Sequence, residues 1–89
     1  MERHKHVTVD NKLGLHLRAS SKIVKLANKF ESQVHLTKDG RKVNAKSIMS
    51  IATLAAPKGS DVEILALGPD AELAVDQIAQ LFRDKFGEE

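Results

Sequence analysis

The spacing of the apolar residues changes several times along this chain, and the order of those spacings limits the fold more than any other feature. Val7 and Val9 alternate with polar residues, as apolar residues do on one face of a strand. From Ala19 to Phe30 the apolar residues recur at intervals typical of a helix with one buried face. We therefore predict a first strand at about residues 5–9 and a first helix that begins between residues 16 and 21.

A hairpin and a second, shorter helix are predicted in the middle of the chain. Val34 and Leu36 alternate with polar residues, and Asp39-Gly40 is typical of the tight turn between two antiparallel strands. Ser47 is a favourable first residue for the short helix, which is expected to end before the next proline. The face that this helix is predicted to bury consists of Ile48, Ile51, Ala52 and Ala55.

A fourth strand and a long final helix complete the pattern. The run from Val62 to Leu67 is rich in strand-forming residues, and Asp70 is a favourable helix cap. The apolar stripe predicted for the final helix is Ala71, Ala74, Val75, Ile78, Leu81, Phe82 and Phe86. The order β-α-β-β-α-β-α predicts an α+β fold with the helices on one face of a mostly antiparallel sheet. Its first six elements equally suit a ferredoxin-like arrangement.

The composition excludes several classes of function. The net charge is only +2 and the Lys and Arg residues are scattered, so no concentrated basic face for nucleic acid is expected. The chain has no cysteine, which excludes disulfides and thiolate metal sites, and it has no apolar run long enough to cross a bilayer. Residues 1–6 do not have the pattern of a signal peptide. We expect a single domain, residues 1–89, in the cytoplasm and without membrane insertion.

The segment between the first strand and the first helix, residues 11–18, brings a glycine, a histidine and an arginine close together. Gly14 gives the backbone freedom to turn, and His16 lies near the start of the helix. Unpaired N–H groups at a helix start bind anions, and the helix dipole disfavours a positive charge on the imidazole, so a ring lone pair is expected to be available. Arg18 has a planar set of donors that suits phosphate oxygens. We predict that His16 is a nucleophile that accepts a phosphoryl group beside Arg18.

Two segments, Gly14-Leu15-His16 with Arg18, and Lys46-Ser47-Ile48-Met49, resemble the signature segments of the histidine-containing phosphocarrier (HPr) family. The resemblance extends over nearly the whole chain. It implies an open-faced β-sandwich, with three helices on one face of a four-stranded antiparallel sheet. It also implies a phosphocarrier, not an enzyme, that accepts a phosphoryl group on Nδ1 of His16 from Enzyme I, ultimately from phosphoenolpyruvate, and passes it to IIA proteins of the phosphotransferase system. Arg18 would accompany His16, Mg²⁺ would serve only the Enzyme I step, and the chain itself would need no cofactor.

The sequence departs from the usual family run Gly-Leu-His-Ala-Arg-Pro-Ala at three positions. Leu17 stands in place of the first alanine, Ala19 in place of the proline, and Ser20 in place of the second alanine. The helix is expected to tolerate Ala19, because exchanging proline and alanine at a compatible position changes stability by about 0.4–1 kcal/mol. We expect these departures to affect which partner proteins the chain binds. The residues that we assign to partner contact are Leu17, Ser20, Ile48 and Met49.

Ser47 is expected first of all to be a helix cap. The resemblance adds a regulatory role, because in many HPr-like proteins the matching serine is phosphorylated by an ATP-dependent kinase and, in some bacteria, then binds a transcription regulator. The alternative to the phosphocarrier is therefore a regulatory interaction module of the nitrogen-type or catabolite-repression branch, controlled through Ser47.

No metal site is predicted. His4 and His6 lie two residues apart, but no third ligand with suitable spacing accompanies them. A monomer is expected, because a carrier has to expose one small site to successive partners.

Overall fold

The computed structural model describes residues 1–88, which form a four-stranded sheet and three α-helices. The strands are β1 (Glu2–Thr8), β2 (Gln33–Lys38), β3 (Arg41–Asn44) and β4 (Asp61–Leu67). The helices are α1 (Leu17–Ala27), α2 (Ile48–Ala52) and α3 (Ala71–Arg83), and a 3-10 turn, Lys85–Gly87, follows α3. The strand order is β1-β4-β2-β3 with every neighbouring pair antiparallel, which confirms the predicted sheet.

The helices cover the face of the sheet on which the strands place their fully buried apolar residues. In β4 the buried residues are Val62, Ile64 and Ala66, and the residues between them are half-buried. In β2 the buried residues are Val34 and Leu36, in the same alternation. Side chains two apart on a strand lie on the same face, so these residues form one apolar layer beneath the helices. Within residues 1–88 the other face of the sheet carries no helix, which makes the fold an open-faced sandwich.

The predicted hairpin turn is confirmed at Asp39-Gly40. The register pairs Lys38 with Arg41, which leaves two residues to make the turn. Both residues have positive φ angles, 52° for Asp39 and 80° for Gly40. Two successive positive φ angles define the turn whose twist matches that of antiparallel strands, and Asp-Gly is a favoured sequence for it.

The first strand is longer and earlier than predicted. It begins at Glu2 and ends at Thr8, and it pairs with β4 along its whole length, from Glu2 opposite Leu67 to Thr8 opposite Asp61. The alternation of apolar residues reports only the buried end of the strand, around Val7, because the other residues of β1 are exposed or half-buried. Pairing with a central strand therefore extends β1 beyond its apolar pattern.

The prediction for the buried face of the second helix was partly wrong. Ile51 is fully buried and Ile48 is half-buried, but Ala52 and Ala55 are exposed. The helix ends at Ala52, and Ala55 takes a positive φ of 47°, so the helical spacing no longer holds beyond the last turn. Leu54 and Ala56 are buried there instead.

The final helix is shorter than predicted, and Phe86 does not belong to it. α3 ends at Arg83, and Lys85, Phe86 and Gly87 all have positive φ angles, of 53°, 57° and 74°. Phe86 is nevertheless buried, and its ring lies edge-on to that of Phe82 with 4.9 Å between the ring centroids. The chain thus turns sharply after α3, and this turn brings Glu88 to the start of α1.

Candidate functional site

His16 is the cap of α1. Its backbone is extended, with φ −73° and ψ 178°, and its Nδ1 accepts a hydrogen bond from the backbone N–H of Arg18 at 3.2 Å. Its carbonyl accepts the first helical hydrogen bond, from the N–H of Ser20 at 2.9 Å. The residues favoured as caps are Ser, Thr, Asp and Asn, so the sequence did not indicate that the imidazole itself takes this position. As a result, Nδ1 lies against the unpaired N–H groups at the start of the helix.

Gly14 holds the loop in the form that presents His16. Its φ is +68°, and a Cβ at this position would lie 2.5 Å from the Ala56 carbonyl oxygen and 2.9 Å from Cα of Pro57. The next residue, Leu15, is buried and donates its N–H to the same Ala56 carbonyl at 2.9 Å. Glycine is therefore required here for both the backbone angle and the close approach.

The second ring nitrogen of His16 contacts a carboxylate from the other end of the chain. Nε2 lies 2.6 Å from Oε2 of Glu88, and the side chains of His16 and Glu88 are 25% and 17% exposed. Oε1 of Glu88 accepts a hydrogen bond from Nδ2 of the buried Asn11 at 3.0 Å, and the same Nδ2 donates to the Gly14 carbonyl at 2.7 Å. Sequence reasoning missed both Asn11 and Glu88. Asn11 lies within the predicted loop, but nothing in the sequence links Glu88 to a residue 72 positions earlier.

These contacts assign the proton of the neutral imidazole. A neutral ring carries one N–H and one lone pair. Nδ1 faces a donor, the N–H of Arg18, and Nε2 faces an acceptor, the carboxylate of Glu88. The proton therefore lies on Nε2 and the lone pair on Nδ1, which is the atom that the family resemblance indicates for phosphorylation.

The Glu88 carboxylate is held in its charged form. Burial of the carboxyl opposes ionisation, but hydrogen bonds from Asn11 and His16 and the positive charge of Lys22 outweigh it, so the pKa of Glu88 lies below its ordinary value. Glu88 is thus an ionised acceptor for His16 at neutral pH.

An open groove beside His16 combines positive charge with exposed apolar side chains. Arg18 lies on the exposed side of α1, and no hydrogen bond or ion pair engages its guanidinium within residues 1–88. Leu13 and Leu17 are 70% and 72% exposed. The cationic residues that line the groove are Lys12, Arg18, Lys22 and Lys25. This arrangement suits a negatively charged group that arrives on the surface of another protein.

The four residues assigned to partner contact do not all lie on the surface. Leu17 and Met49 are exposed, Met49 at 80%, and Ile48 is half-buried in α2, which packs against α1. Ser20 is wrongly assigned. Its side chain is only 1% exposed and its hydroxyl donates to the Leu15 carbonyl at 3.3 Å, because Ser20 lies on the face of α1 that is turned to the core.

Ser47 caps α2, as predicted. Its backbone is extended, with φ −127° and ψ 116°, and its Oγ accepts a hydrogen bond from the N–H of Ser50 at 3.2 Å. The side chain is half-buried.

His4 and His6 lie close to carboxylates on the open face of the sheet. His4 contacts Glu2 at 2.6 Å and Glu63 at 3.1 Å, and the hydrogen bonds that its ring donates to these two carboxylates raise its pKa. Among residues 1–88 there is no group of three or more His, Cys, Asp or Glu side chains that could hold a metal ion. In the same range, every helix is too short or too polar to span a membrane.

Comparisons with known proteins agree with this geometry. A family model described as the PTS HPr component phosphorylation site matches residues 3–84. The phosphocarrier protein HPr of Cupriavidus necator is 49% identical over 81 residues, which cover 91% of each chain. The HPr-like protein Crh of Bacillus subtilis is 42% identical, over 89% of this chain and 93% of its own. The crystal structure of HPr-C-His from Thermoanaerobacter tengcongensis superimposes with a TM-score of 0.94 at 42% identity and covers 98% of both chains. The ferredoxin-like alternative is therefore set aside.

Proposed function

We propose that this chain, which belongs to the HPr family, is a phosphocarrier. It accepts a phosphoryl group on Nδ1 of His16 and passes the group to another protein. The carrier is not an enzyme in its own right, because it forms only a transient phosphohistidine. The donor in this proposal is Enzyme I, charged from phosphoenolpyruvate, and the acceptors are IIA proteins of the phosphotransferase system. The proposed place of action is the cytoplasm, and the monomeric state stays a prediction.

The observation that carries the proposal is the position of Nδ1 at the start of α1. Nδ1 holds the ring lone pair and lies 3.2 Å from the N–H of Arg18. A phosphoryl group bonded to Nδ1 would bring its oxygens among the free N–H groups of the first turn, where the helix dipole favours negative charge. The guanidinium of Arg18, exposed and unengaged within the described residues, is available to pair with the same oxygens.

The proposed partner surface surrounds this site. Leu17 and Met49 are exposed apolar side chains on two helices that contact each other, and Ile48 lies beside Met49. Apolar residues at the centre of a contact and cations at its edge favour a partner with an acidic rim. Leu17 is the residue that should influence the choice of partner most, since the family usually has the smaller alanine at this position.

The test is phosphoryl uptake followed by intact mass measurement. The protein is incubated with Enzyme I, Mg²⁺ and phosphoenolpyruvate, and its mass is measured before and after mild acid. We expect a gain of one phosphoryl group that mild acid removes, since phosphohistidine is acid-labile. His16→Ala should abolish the gain and His6→Ala, which removes an exposed histidine of β1, should retain it. Uptake that persists in His16→Ala would overturn the proposal.

A second candidate function is regulation through Ser47. It is favoured by the half-buried side chain of Ser47 at the start of α2, two residues before the exposed Met49, and by the 42% identity to Crh. In this proposal a protein kinase phosphorylates Ser47 and a transcription regulator recognises the product. A phosphate at the start of a helix adds a charge of about −1.5 to −2 that the dipole tolerates. Acid-stable phosphate on Ser47, absent in Ser47→Ala, would support it, and no kinase product from the source organism's extract would count against it.

A further inference from the structure

We propose that Glu88 is a positioning residue for transfer at His16, and that its carboxylate keeps the ring proton on Nε2 throughout the transfer cycle. This inference deepens the proposed function and rests on it. Glu88 does not touch the phosphoryl group in this scheme. It acts through the imidazole, by fixing which of the two ring nitrogens has the lone pair.

The first support is the direction of the contacts around the ring. Oε2 of Glu88 lies 2.6 Å from Nε2, on the far side of the ring from Nδ1. The N–H of Arg18 faces Nδ1 at 3.2 Å. Each nitrogen thus has one partner, and only one tautomer satisfies both partners at once. The short Nε2 contact is the stronger of the two, because an ionised acceptor strengthens a hydrogen bond.

The second support is that the carboxylate is itself held in place. Its other oxygen, Oε1, accepts from the amide of Asn11, a fully buried residue whose amide also ties the loop together through the Gly14 carbonyl. The Asn11 amide therefore binds both the loop that presents His16 and the carboxylate that orients its ring. Such a chain of hydrogen bonds is typical of residues that orient a catalytic histidine.

The third support is the shape of the tail. Three successive residues, Lys85, Phe86 and Gly87, have positive φ angles, which is unfavourable for the first two. Phe86 anchors the turn in the core against Phe82, and the Lys22 amine donates to the Phe86 carbonyl. A turn of this kind is maintained only where tertiary contacts outweigh its strain, and its result is to deliver Glu88 to the ring of His16.

The transfer step balances without moving the ring proton. The Nδ1 lone pair attacks phosphorus, the Nδ1–P bond forms, and the donor's bond to phosphorus breaks with its electron pair returning to the donor. The ring then has a substituent on Nδ1 and a proton on Nε2, so it carries a positive charge that faces the Glu88 carboxylate. In the onward transfer the Nδ1–P electrons return to Nδ1, and the starting tautomer is restored.

The amide variant tests this role better than simple truncation. In Glu88→Gln, the carbonyl oxygen can stay on the Asn11 amide only if the NH₂ group faces Nε2. That donor favours the opposite tautomer, with the proton on Nδ1 and no lone pair to attack. Replacement of the carboxylate by an amide acts in this way in Ser-His-Asp triads. We expect transfer to be about tenfold slower in Glu88→Gln than in the wild type, and Glu88→Ala to lie between them. If Glu88 only held the tail, Gln would be milder than Ala, because it keeps the size and polarity of the side chain.

The experiment measures two quantities on wild type, Glu88→Gln, Glu88→Ala and the control Glu72→Gln, which removes an exposed carboxyl at the start of α3. Long-range ¹⁵N–¹H spectra of the unphosphorylated proteins report the His16 tautomer, and single-turnover mixing with phosphorylated Enzyme I reports the rate. A shift toward the Nδ1-protonated ring together with the slowest rate in Glu88→Gln supports the proposal. A wild-type tautomer in Glu88→Gln, or a shifted tautomer with an unchanged rate, overturns it. If the wild type takes up no phosphoryl group, the proposed function fails, whereas the spectra still decide whether Glu88 sets the tautomer.

Discussion

The helices α1 and α2 begin in the same way but have different surroundings. In each, the side chain of the cap accepts a backbone N–H at 3.2 Å, Nδ1 of His16 from Arg18 and Oγ of Ser47 from Ser50. α1 continues for 11 residues and α2 for 5. The His16 ring has a second contact, with Glu88, whereas within residues 1–88 the Ser47 hydroxyl has no side-chain partner.

The difference shows what a cap needs in order to become reactive. A helix start supplies donors for an anion in both places, and α1 supplies them with a longer helix behind them. Only His16, however, combines those donors with a lone pair directed at them and a carboxylate that fixes the proton elsewhere. A hydroxyl such as that of Ser47 needs an external base to become a nucleophile. This contrast supports the proposal that His16 exchanges a phosphoryl group directly with the carriers on either side of it, whereas phosphorylation of Ser47 would require a kinase.

The largest effect is expected from a variant that keeps a capping side chain at position 16 but removes the imidazole. His16→Asn places one of the best capping side chains at the start of α1 and removes the imidazole. We expect phosphoryl uptake to be lost completely, while the free energy of unfolding changes by less than about 1 kcal/mol. Intact mass after incubation with Enzyme I, Mg²⁺ and phosphoenolpyruvate checks the first point, and urea unfolding checks the second. An Asn variant that is unfolded would show that His16 has a structural role beyond the cap.

The next largest effect is expected at Arg18, the cation beside the His16 cap of α1. Arg18→Ala removes a guanidinium that no other group engages within the described residues, so its loss should not destabilise the fold by more than about 0.5 kcal/mol. Hydrogen bonds to charged groups are worth about 1.5–3 kcal/mol, so we expect transfer to slow by roughly 10- to 100-fold. Lys29→Ala, which removes an exposed cation just beyond the other end of α1, is the matched control and should change the rate less than about twofold. Equal effects of the two variants in single-turnover kinetics would assign Arg18 only a general electrostatic role.

The parts of the site that were predictable from the sequence are those encoded by neighbouring residues. The helix after His16, the turn at Asp39-Gly40 and the cap at Ser47 each depend on a few adjacent residues, and the structure confirms them. Met49, which is not part of the buried face predicted for α2, is exposed.

The parts that could not be predicted depend on contacts between distant segments. Ser20 is polar, yet it lies on the core side of α1, where the Leu15 carbonyl, from the loop before the helix, accepts its hydroxyl. Phe86 continues the helical spacing of α3, but the helix ends before it and the ring enters the core from a turn. Glu88 reaches His16 across 72 positions of sequence through that turn. The periodicity of apolar residues describes one helix or strand at a time and carries no signal for tertiary contacts between segments.

A smaller effect is expected at the second cap. Ser47→Ala removes the acceptor for the Ser50 N–H and should lower the free energy of unfolding by about 1 kcal/mol. Ser47→Asn restores an acceptor at the same position and should recover most of that loss. Phosphoryl uptake at His16 should continue in both variants, because neither changes the lone pair or its donors. Urea unfolding and intact mass measure the two properties. A loss of uptake in Ser47→Asn, with the cap restored, would show that the two helix starts are coupled.

The smallest expected effect is a change in how stability depends on pH, at the third helix start. Asp70 occupies the cap position of α3 but makes no side-chain hydrogen bond to that helix. Its carboxylate accepts from the Ser32 hydroxyl at 2.5 Å and from the N–H groups of Glu31 and Ser32 at 3.0 and 2.9 Å, and these hydrogen bonds, with that from the hydroxyl first, lower its pKa. A carboxyl with a lowered folded-state pKa stabilises the fold above its unfolded pKa, near 3.9, and this contribution is lost as the pH falls through the folded value.

Asp70→Asn should therefore be less stable than the wild type at neutral pH, and the difference should shrink below about pH 4. Urea unfolding of both proteins from roughly pH 7 down to pH 2.5 measures the difference directly, since it compares the same transition with and without the titrating group. Glu72→Gln removes an exposed carboxyl from the first turn of the same helix and should give a difference that varies less with pH. A constant gap between wild type and Asp70→Asn across the whole range would mean that the amide still makes the contacts to Glu31 and Ser32. Charge at a helix start would then matter only at α1, where we propose that a phosphoryl group binds.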